Sequence, residues 1–367
     1  MIPFVDLKAQ YQSIKEELDT AMQTVIDNTA FIAGDYVTEF EAAFAQYIGT
    51  EHCVACANGT DALEIALQAM GIQAGDEVIV PAISWISTSE AVSTVGGTPV
   101  FVDVEPTYYC IDIDQIEAAI TPKTKAIIPV HLYGQPVDMP RLMALAKKHQ
   151  LLVLEDCAQA HGAAIHGQRI GTFGHAASFS FYPGKNLGAY GDAGGIVTND
   201  DQIMRIARQI ANHGQEGKHN HLREGRNSRM DGLQGAILNT KLPHLEGWTT
   251  ARIQNAQRYH DLLQETDLVL PQTIQGGRHV FHLYVVRTKQ RDALMEQLRE
   301  KGIGVGIHYP TPLPLLPCYA DRGFTPKDFP VAHAVTQEIV SIPMFAELTL
   351  EQQQYVAQVM RARVPMV

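Results

Sequence analysis

Between about residues 50 and 215, short β-branched, apolar runs alternate with stretches whose apolar positions recur at helical spacing. The runs predict strands over Cys53–Ala57, Glu77–Val80, Pro99–Val104, Ala126–His131, Leu151–Glu155, Ala177–Phe181 and Gly195–Thr198. Between them the spacing predicts helices over Asp61–Met70, Ser87–Val95, Ile113–Ile120, Met139–His149 and Asp201–Asn212. Alternation of this kind implies an α/β fold: an open, mostly parallel sheet covered by helices on both faces.

The pattern changes on either side of this block. The first 30 or so residues read as an arm followed by a helix, Gln10–Asn28. Residues 216–231 are polar and carry Gly, His and Arg, the texture of a long functional loop. A helix is expected from Asp231 to Leu245, and a linking helix from Trp248 to Gln264. Pro- and Gly-rich segments follow, then a strand over His279–Val286 and a helix over Arg291–Lys301. The organisation expected is a large domain with an N-terminal arm, residues 1–245, and a smaller α+β domain, residues 246–367.

Composition narrows the function. The 367 residues carry 28 Lys and Arg against 40 Asp and Glu, a net charge of −12, which argues against nucleic-acid binding. No apolar run approaches the ~20 residues a membrane helix needs. The start, Met1-Ile-Pro-Phe-Val-Asp-Leu-Lys8, lacks the basic-then-apolar layout of a signal peptide. Five cysteines, an odd number, fit reduced thiols in a cytoplasm. Cys53 and Cys56 form a CxxC pair with no second pair for zinc, and read as buried structural thiols. His219 and His221 lack ligand partners at metal-binding spacing and read as a polar loop.

Sheets of this kind collect ligands at the carboxyl ends of their strands. Here those ends carry Asn58–Asp61, Trp85, His131, Asp156 and Lys185. Lys185 follows an apolar strand and a Pro-Gly turn, and Asp156 ends the strand about thirty residues earlier. That pair is what pyridoxal 5'-phosphate (PLP) chemistry requires. The lysine forms a Schiff base with the cofactor aldehyde, and the aspartate keeps the pyridine nitrogen protonated. In Asn58-Gly-Thr-Asp61 the chain turns from strand to helix. Gly59 permits close backbone approach, Thr60 is a candidate N-cap, and the free N–H groups form a phosphate cradle. Trp85 offers a flat face for a pyridine ring, Gln159 a contact to the ring hydroxyl, and Ser180 a further phosphate contact.

The combination Asn58-Gly-Thr-Asp-Ala62, Trp85, Glu155-Asp-Cys-Ala-Gln159, Ser180-Phe-Tyr-Pro-Gly-Lys185 and Asn227-Ser-Arg-Met-Asp231 resembles the DegT/DnrJ/StrS family of PLP-dependent sugar aminotransferases. The likeness runs from Phe4-Val-Asp-Leu-Lys8 to His308-Tyr-Pro310. It implies a fold-type I aminotransferase that takes L-glutamate as donor and a nucleotide-linked keto sugar as acceptor. By position, Lys185 would carry the cofactor, Asp156 face its ring nitrogen, Gln159 its ring oxygen and Trp85 its face. Gly59, Thr60 and Ser180 would hold the phosphate. Asn227 would reach the phosphate of a neighbouring subunit, so a homodimer would complete each site. Ala57 departs from relatives that carry serine there.

Substrate contacts are expected from Arg229, His308 and Tyr309, since a diphosphate needs donors with positive character. Lys218 and Arg226 are further candidates from the partner subunit, and His131 and Tyr133 for the sugar pocket. The texture of the chain resembles the branch acting on 3-keto sugars. A UDP-linked 2-acetamido-3-keto sugar is the first expectation, a dTDP-linked 3-keto-6-deoxy sugar the second and a C4 aminotransferase the third. A nicotinamide oxidoreductase is disfavoured, because Gly302-Ile-Gly-Val-Gly306 lacks the GxGxxG pattern and lies late in the chain. A non-catalytic regulator of the same fold predicts loss of Lys185 or Asp156, and both are present.

Overall fold

Seven strands build the central sheet in a computed structural model that describes residues 1–362. They are β1 (His52–Cys56), β2 (Glu77–Pro81), β3 (Thr98–Val102), β4 (Thr124–Ile127), β5 (Leu152–Asp156), β6 (Ala176–Ser180) and β7 (Gly194–Thr198). Their spatial order is β1-β7-β6-β5-β4-β2-β3. Strand β7 runs antiparallel to both β1 and β6, and the other contacts are parallel. Six carboxyl ends therefore share one edge, joined there by the amino end of β7. Strands covered on both faces read as unbroken apolar runs, which is why all seven are legible in the sequence.

Helices α1 (Leu7–Ser13), α2 (Lys15–Asp27) and α3 (Asp35–Ile48) precede the sheet. The single helix expected over 10–28 is two, broken at Ile14, whose backbone is not helical. The connections between strands carry α4 (Gly59–Ala69), α5 (Ser87–Thr94), α6 (Ile113–Ala119) and α7 (Met139–His149). Helix α8 (Asp201–Ala211) follows the last strand, its Asp200 cap accepting from two backbone N–H groups. Then come α9 (Gly232–Lys241) and α10 (Leu245–Leu263).

The remaining chain forms a two-stranded sheet, β8 (Tyr284–Arg287) against β9 (Ile339–Ile342), with helices α11 (Arg291–Glu300), α12 (Pro330–Glu338) and α13 (Leu350–Arg361). The strand expected over 279–286 is shortened at its start. Phe281 sits at φ 44°, a left-handed conformation that interrupts an extended chain. Apolar residues of α10, β8, α11, β9 and α13 form their own core, which the arm residue Ile2 joins. Yet Leu313, Tyr319, Phe329 and Val335 pack into the core of the main sheet. We propose the division into lobes at 245/246, where α10 begins its run to the smaller core; residues 363–367 of the second lobe lie outside the described residues.

Candidate active site

The carboxyl edge of the sheet opens into a cavity of about 500 Å³, lined by Asn58, Gly59, Thr60, Trp85, Asp156, Gln159, Ser180, Lys185, His308 and Tyr309, among others. Its base is the strand-to-helix turn after β1. Asn58, and not Thr60, caps α4: its side chain accepts from the Asp61 N–H over 2.8 Å. Thr60 lies inside the first turn, where its hydroxyl pairs with that of Ser87 at 2.7 Å. The turn lies against β6 so closely that a Cβ built on Gly59 would come within 2.6 Å of the Ser180 Cβ. A cradle of backbone N–H groups at a helix start, with two hydroxyls beside it, suits a phosphate.

Asp156 ends β5 and is buried. It accepts from the Thr88 hydroxyl at 2.8 Å and the Ala158 N–H at 3.1 Å. Burial raises its pKa above the ordinary carboxylate range, against the pull of those two donors and of Lys185. The carboxylate thus lacks a full counter-charge, and a protonated ring nitrogen would supply one. Lys185 sits at the turn after β6, its N–H bonded to the Tyr182 carbonyl at 2.8 Å. Its amine donates to no group among the described residues. Burial lowers its pKa from 10.5 to about 8, partly opposed by Asp156. These features fit PLP: an unengaged amine, an under-compensated carboxylate, a phosphate cradle and an aromatic wall.

That wall is Trp85, 58% exposed, with the Tyr309 ring 5.6 Å from it. Gln159 is fixed at both ends of its amide. Its oxygen accepts from the Tyr133 N–H at 2.6 Å and its nitrogen donates to the Tyr309 hydroxyl at 3.0 Å. His308 is stacked on Phe4 and paired with the Ser341 hydroxyl at 2.9 Å. Burial, with the nearby Lys185 charge, lowers its pKa to about 4. Burial thus favours the neutral ring at His308, against the positive character expected there.

Other expected residues fall elsewhere. Asn227 and Arg229 do not line this cavity; they bond each other, and Asn227 bridges to Asn212. The segment is anchored by Ser228, whose hydroxyl donates to Asp61 at 2.5 Å, and by Arg226, paired with Glu64. Lys218 belongs to a separate open groove beside α8. His131 is wholly buried against Glu155, and the Tyr133 hydroxyl donates to the His308 carbonyl. Cys53 and Cys56 are buried free thiols. Thr88 and Asp192, which reasoning from sequence missed, both line the cavity. An antiparallel strand delivering its amino end to this edge was the unread signal for Asp192.

A strand-edge cavity with this lysine and this carboxylate defines the site of a PLP-dependent enzyme. The chain belongs to the DegT/DnrJ/EryC1/StrS aminotransferase family, whose profile matches residues 12–361. It is 47% identical over 360 residues to the "Pleiotropic regulatory protein" of Geobacillus stearothermophilus, covering 97% of each chain. It is 46% identical to the UDP-N-acetyl-3-dehydro-alpha-D-glucosamine 3-aminotransferase of Acidithiobacillus ferrooxidans, covering 98% of this chain and 97% of that one. Among solved structures it resembles Streptomyces venezuelae DesV in complex with a ketimine intermediate. That match has a TM-score of 0.97, 41% identity and 99% coverage of both chains. Among the described residues, no helix is long and apolar enough to cross a membrane.

Proposed function

We propose that this enzyme transfers the amino group of L-glutamate to C3 of a UDP-linked 2-acetamido-3-keto sugar. The observation that carries the transfer chemistry is the single cavity holding both Asp156 and Lys185. The choice of sugar is supported by the Acidithiobacillus relative and its nearly full-length match.

Bound PLP would supply a ring that accepts the electrons released from the reacting carbon. The Asp156 carboxylate would face the ring nitrogen and keep it protonated. Lys185 Nζ, with a pKa of about 8, takes and returns a proton at the reacting carbon without a large penalty near neutral pH. Gly59, Thr60 and Ser180 would hold the phosphate, Trp85 one face of the ring, and Gln159 the ring oxygen.

The amino donor and the sugar nucleotide are both anionic, whereas Lys185, the cofactor lysine, is the one lysine or arginine among the described lining residues. Asn227 and Arg229, outside their own chain's cavity, support a homodimer in which each chain brings these residues to its partner's site. A cytoplasmic setting, where nucleotide sugars are made, follows from the same reading.

The test is turnover with glutamate against UDP-2-acetamido-3-keto-glucose, a dTDP-3-keto-6-deoxyhexose and a 4-keto nucleotide sugar, the product fixed by mass and NMR. The UDP-linked 3-keto sugar should give the highest kcat/KM. A higher value for either competitor would overturn the substrate, and no turnover with any would overturn the enzyme reading.

A further inference from the structure

A second buried amine lies beside the loop that carries Lys185. Lys241, the last residue of α9, is 1% exposed. Its Nζ donates to the Gly188 carbonyl at 2.7 Å and to Gln10 Oε1 at 3.2 Å, and lies 4.2 Å from the centre of the Tyr190 ring. Among the described residues no carboxylate is hydrogen-bonded to it; Glu347 acts on it only through space. Burying an amine is costly, and an apolar residue of similar volume generally serves packing as well or better. The position of its hydrogen bonds shows what the amine is used for.

Gly188 lies three residues after Lys185, in a loop closed on itself. The Ala189 N–H bonds the Phe181 carbonyl at 2.8 Å, and a Cβ on Gly188 would come within 2.3 Å of the Pro183 carbonyl oxygen. The far side is held by Asn186, which contacts the Val280 carbonyl at 3.3 Å and His282 Nδ1 at 3.1 Å. Gly188 and Lys185 thus belong to one tightly closed loop, only three residues apart, with Asn186 anchored between them.

We propose that Lys241 is a positioning residue for Lys185: by gripping the Gly188 carbonyl it sets the depth at which the Lys185 amine sits in the cavity. The proposal rests on Lys185 being the cofactor lysine. The groups facing Lys185 are Asp156 and the rings of His161, His282 and His308, all three held neutral by burial. Those facing Lys241 are Glu347 and Tyr190, with Arg252 and Asp6 beyond Glu347. Lys241 is not among the charges acting on Lys185, so its removal acts through position.

The experiment uses cofactor-free protein, acetylated with acetic anhydride between pH 6 and 11, with Lys185 labelling read by peptide mass. In Lys241→Met the Lys185 midpoint should rise by about one pH unit, because a released loop lets the amine reach water. Lys241→Arg, which keeps a donor, should restore it. An unchanged midpoint in folded Lys241→Met overturns the proposal. Should that variant not fold, Lys241→Gln, whose side chain is one atom shorter and carries no charge to the Gly188 carbonyl, is read in the same way. Borohydride reduction of PLP-loaded wild type separates the two layers. An adduct on Lys185 with an unmoved midpoint sinks only the positioning role, and no adduct there sinks both.

Discussion

The Cα of Gly59 faces Ser180 across so narrow a gap that the smallest side chain does not fit, its Cβ falling 2.6 Å from the serine Cβ. The atoms it would meet, the Ser180 Cβ at 2.6 Å and Cα at 3.1 Å, belong to the end of β6 and not to the tip of a flexible side chain. Gly59→Ala must therefore push the α4 start away from β6 and open the cradle. The fold, held by cores elsewhere, should survive. PLP affinity, read by absorbance titration, should fall at least about ten-fold, or 1.4 kcal/mol. Unchanged affinity would mean that the phosphate does not use this turn.

Thr88 reaches Asp156 from α5, and its hydroxyl also pairs with Ser84 at 2.7 Å. Thr88→Val preserves shape and removes one of two donors to a buried carboxylate. Its pKa, already raised by burial, should rise further. The folded chain then holds a proton on Asp156 over a wider range above the unfolded value of 3.8. Folding stability from this group accordingly falls as pH rises through that window. The acid limb of PLP binding should move up by about one pH unit, since one hydrogen bond to a charged group is worth roughly that much. A limb that stays in place would remove Asp156 from the binding equilibrium.

Much of this site was legible because parallel strands announce themselves as apolar runs and their carboxyl ends collect chemistry. Lys185, Asp156 and Trp85 were read from that rule, and Gln159 and Ser180 from their spacing to them; the rule also picked out His131, which lies buried outside the cavity. Thr88 did not, because a threonine in a short helix is ordinary and its partner lies 68 residues away. Lys241 looked like any basic residue ending a helix, and only its burial distinguishes it. The shortened strand at 284 turned on the left-handed backbone of Phe281, a tertiary demand that a β-prone phenylalanine does not advertise.

The Lys185 amine has a pKa lowered from 10.5 to about 8, so between those values the unfolded chain binds a proton that the folded chain has released. Stability due to this group is therefore least below pH 8 and recovers as pH rises toward 10.5. Buried thiols such as Cys53 and Cys157, raised by burial, pull the other way, so only a difference isolates the lysine. Lys185→Met in the cofactor-free protein should be more stable than wild type at pH 7. Lys185 is only half-buried, so that advantage should shrink by on the order of 1–2 kcal/mol by pH 10. Urea unfolding at both pH values measures it, and a constant difference would contradict the lowered pKa.

Glu155 precedes Asp156 on β5 and is wholly buried, yet it faces away from the chemistry. One oxygen accepts from the N–H groups of Phe173 and Gly174 at 2.9 and 2.7 Å; the other accepts from Gly171 at 2.8 Å. His131 Nδ1 accepts from the Val137 N–H at 3.1 Å, so the proton sits on Nε2 and is donated to that second oxygen, also at 3.1 Å. Every neighbour of this carboxylate is a donor. Glu155→Gln is thus far from conservative, because its NH2 group faces two donors in either orientation. It should destabilise the fold by about 2–4 kcal/mol, the cost of two buried N–H groups left without acceptors. His131→Phe should cost less, since it leaves one oxygen of Glu155 still bonded to Gly171 and strands chiefly the Val137 N–H. Chemical denaturation of both variants gives the comparison; a Glu155→Gln cost below that of His131→Phe would overturn this assignment of protons.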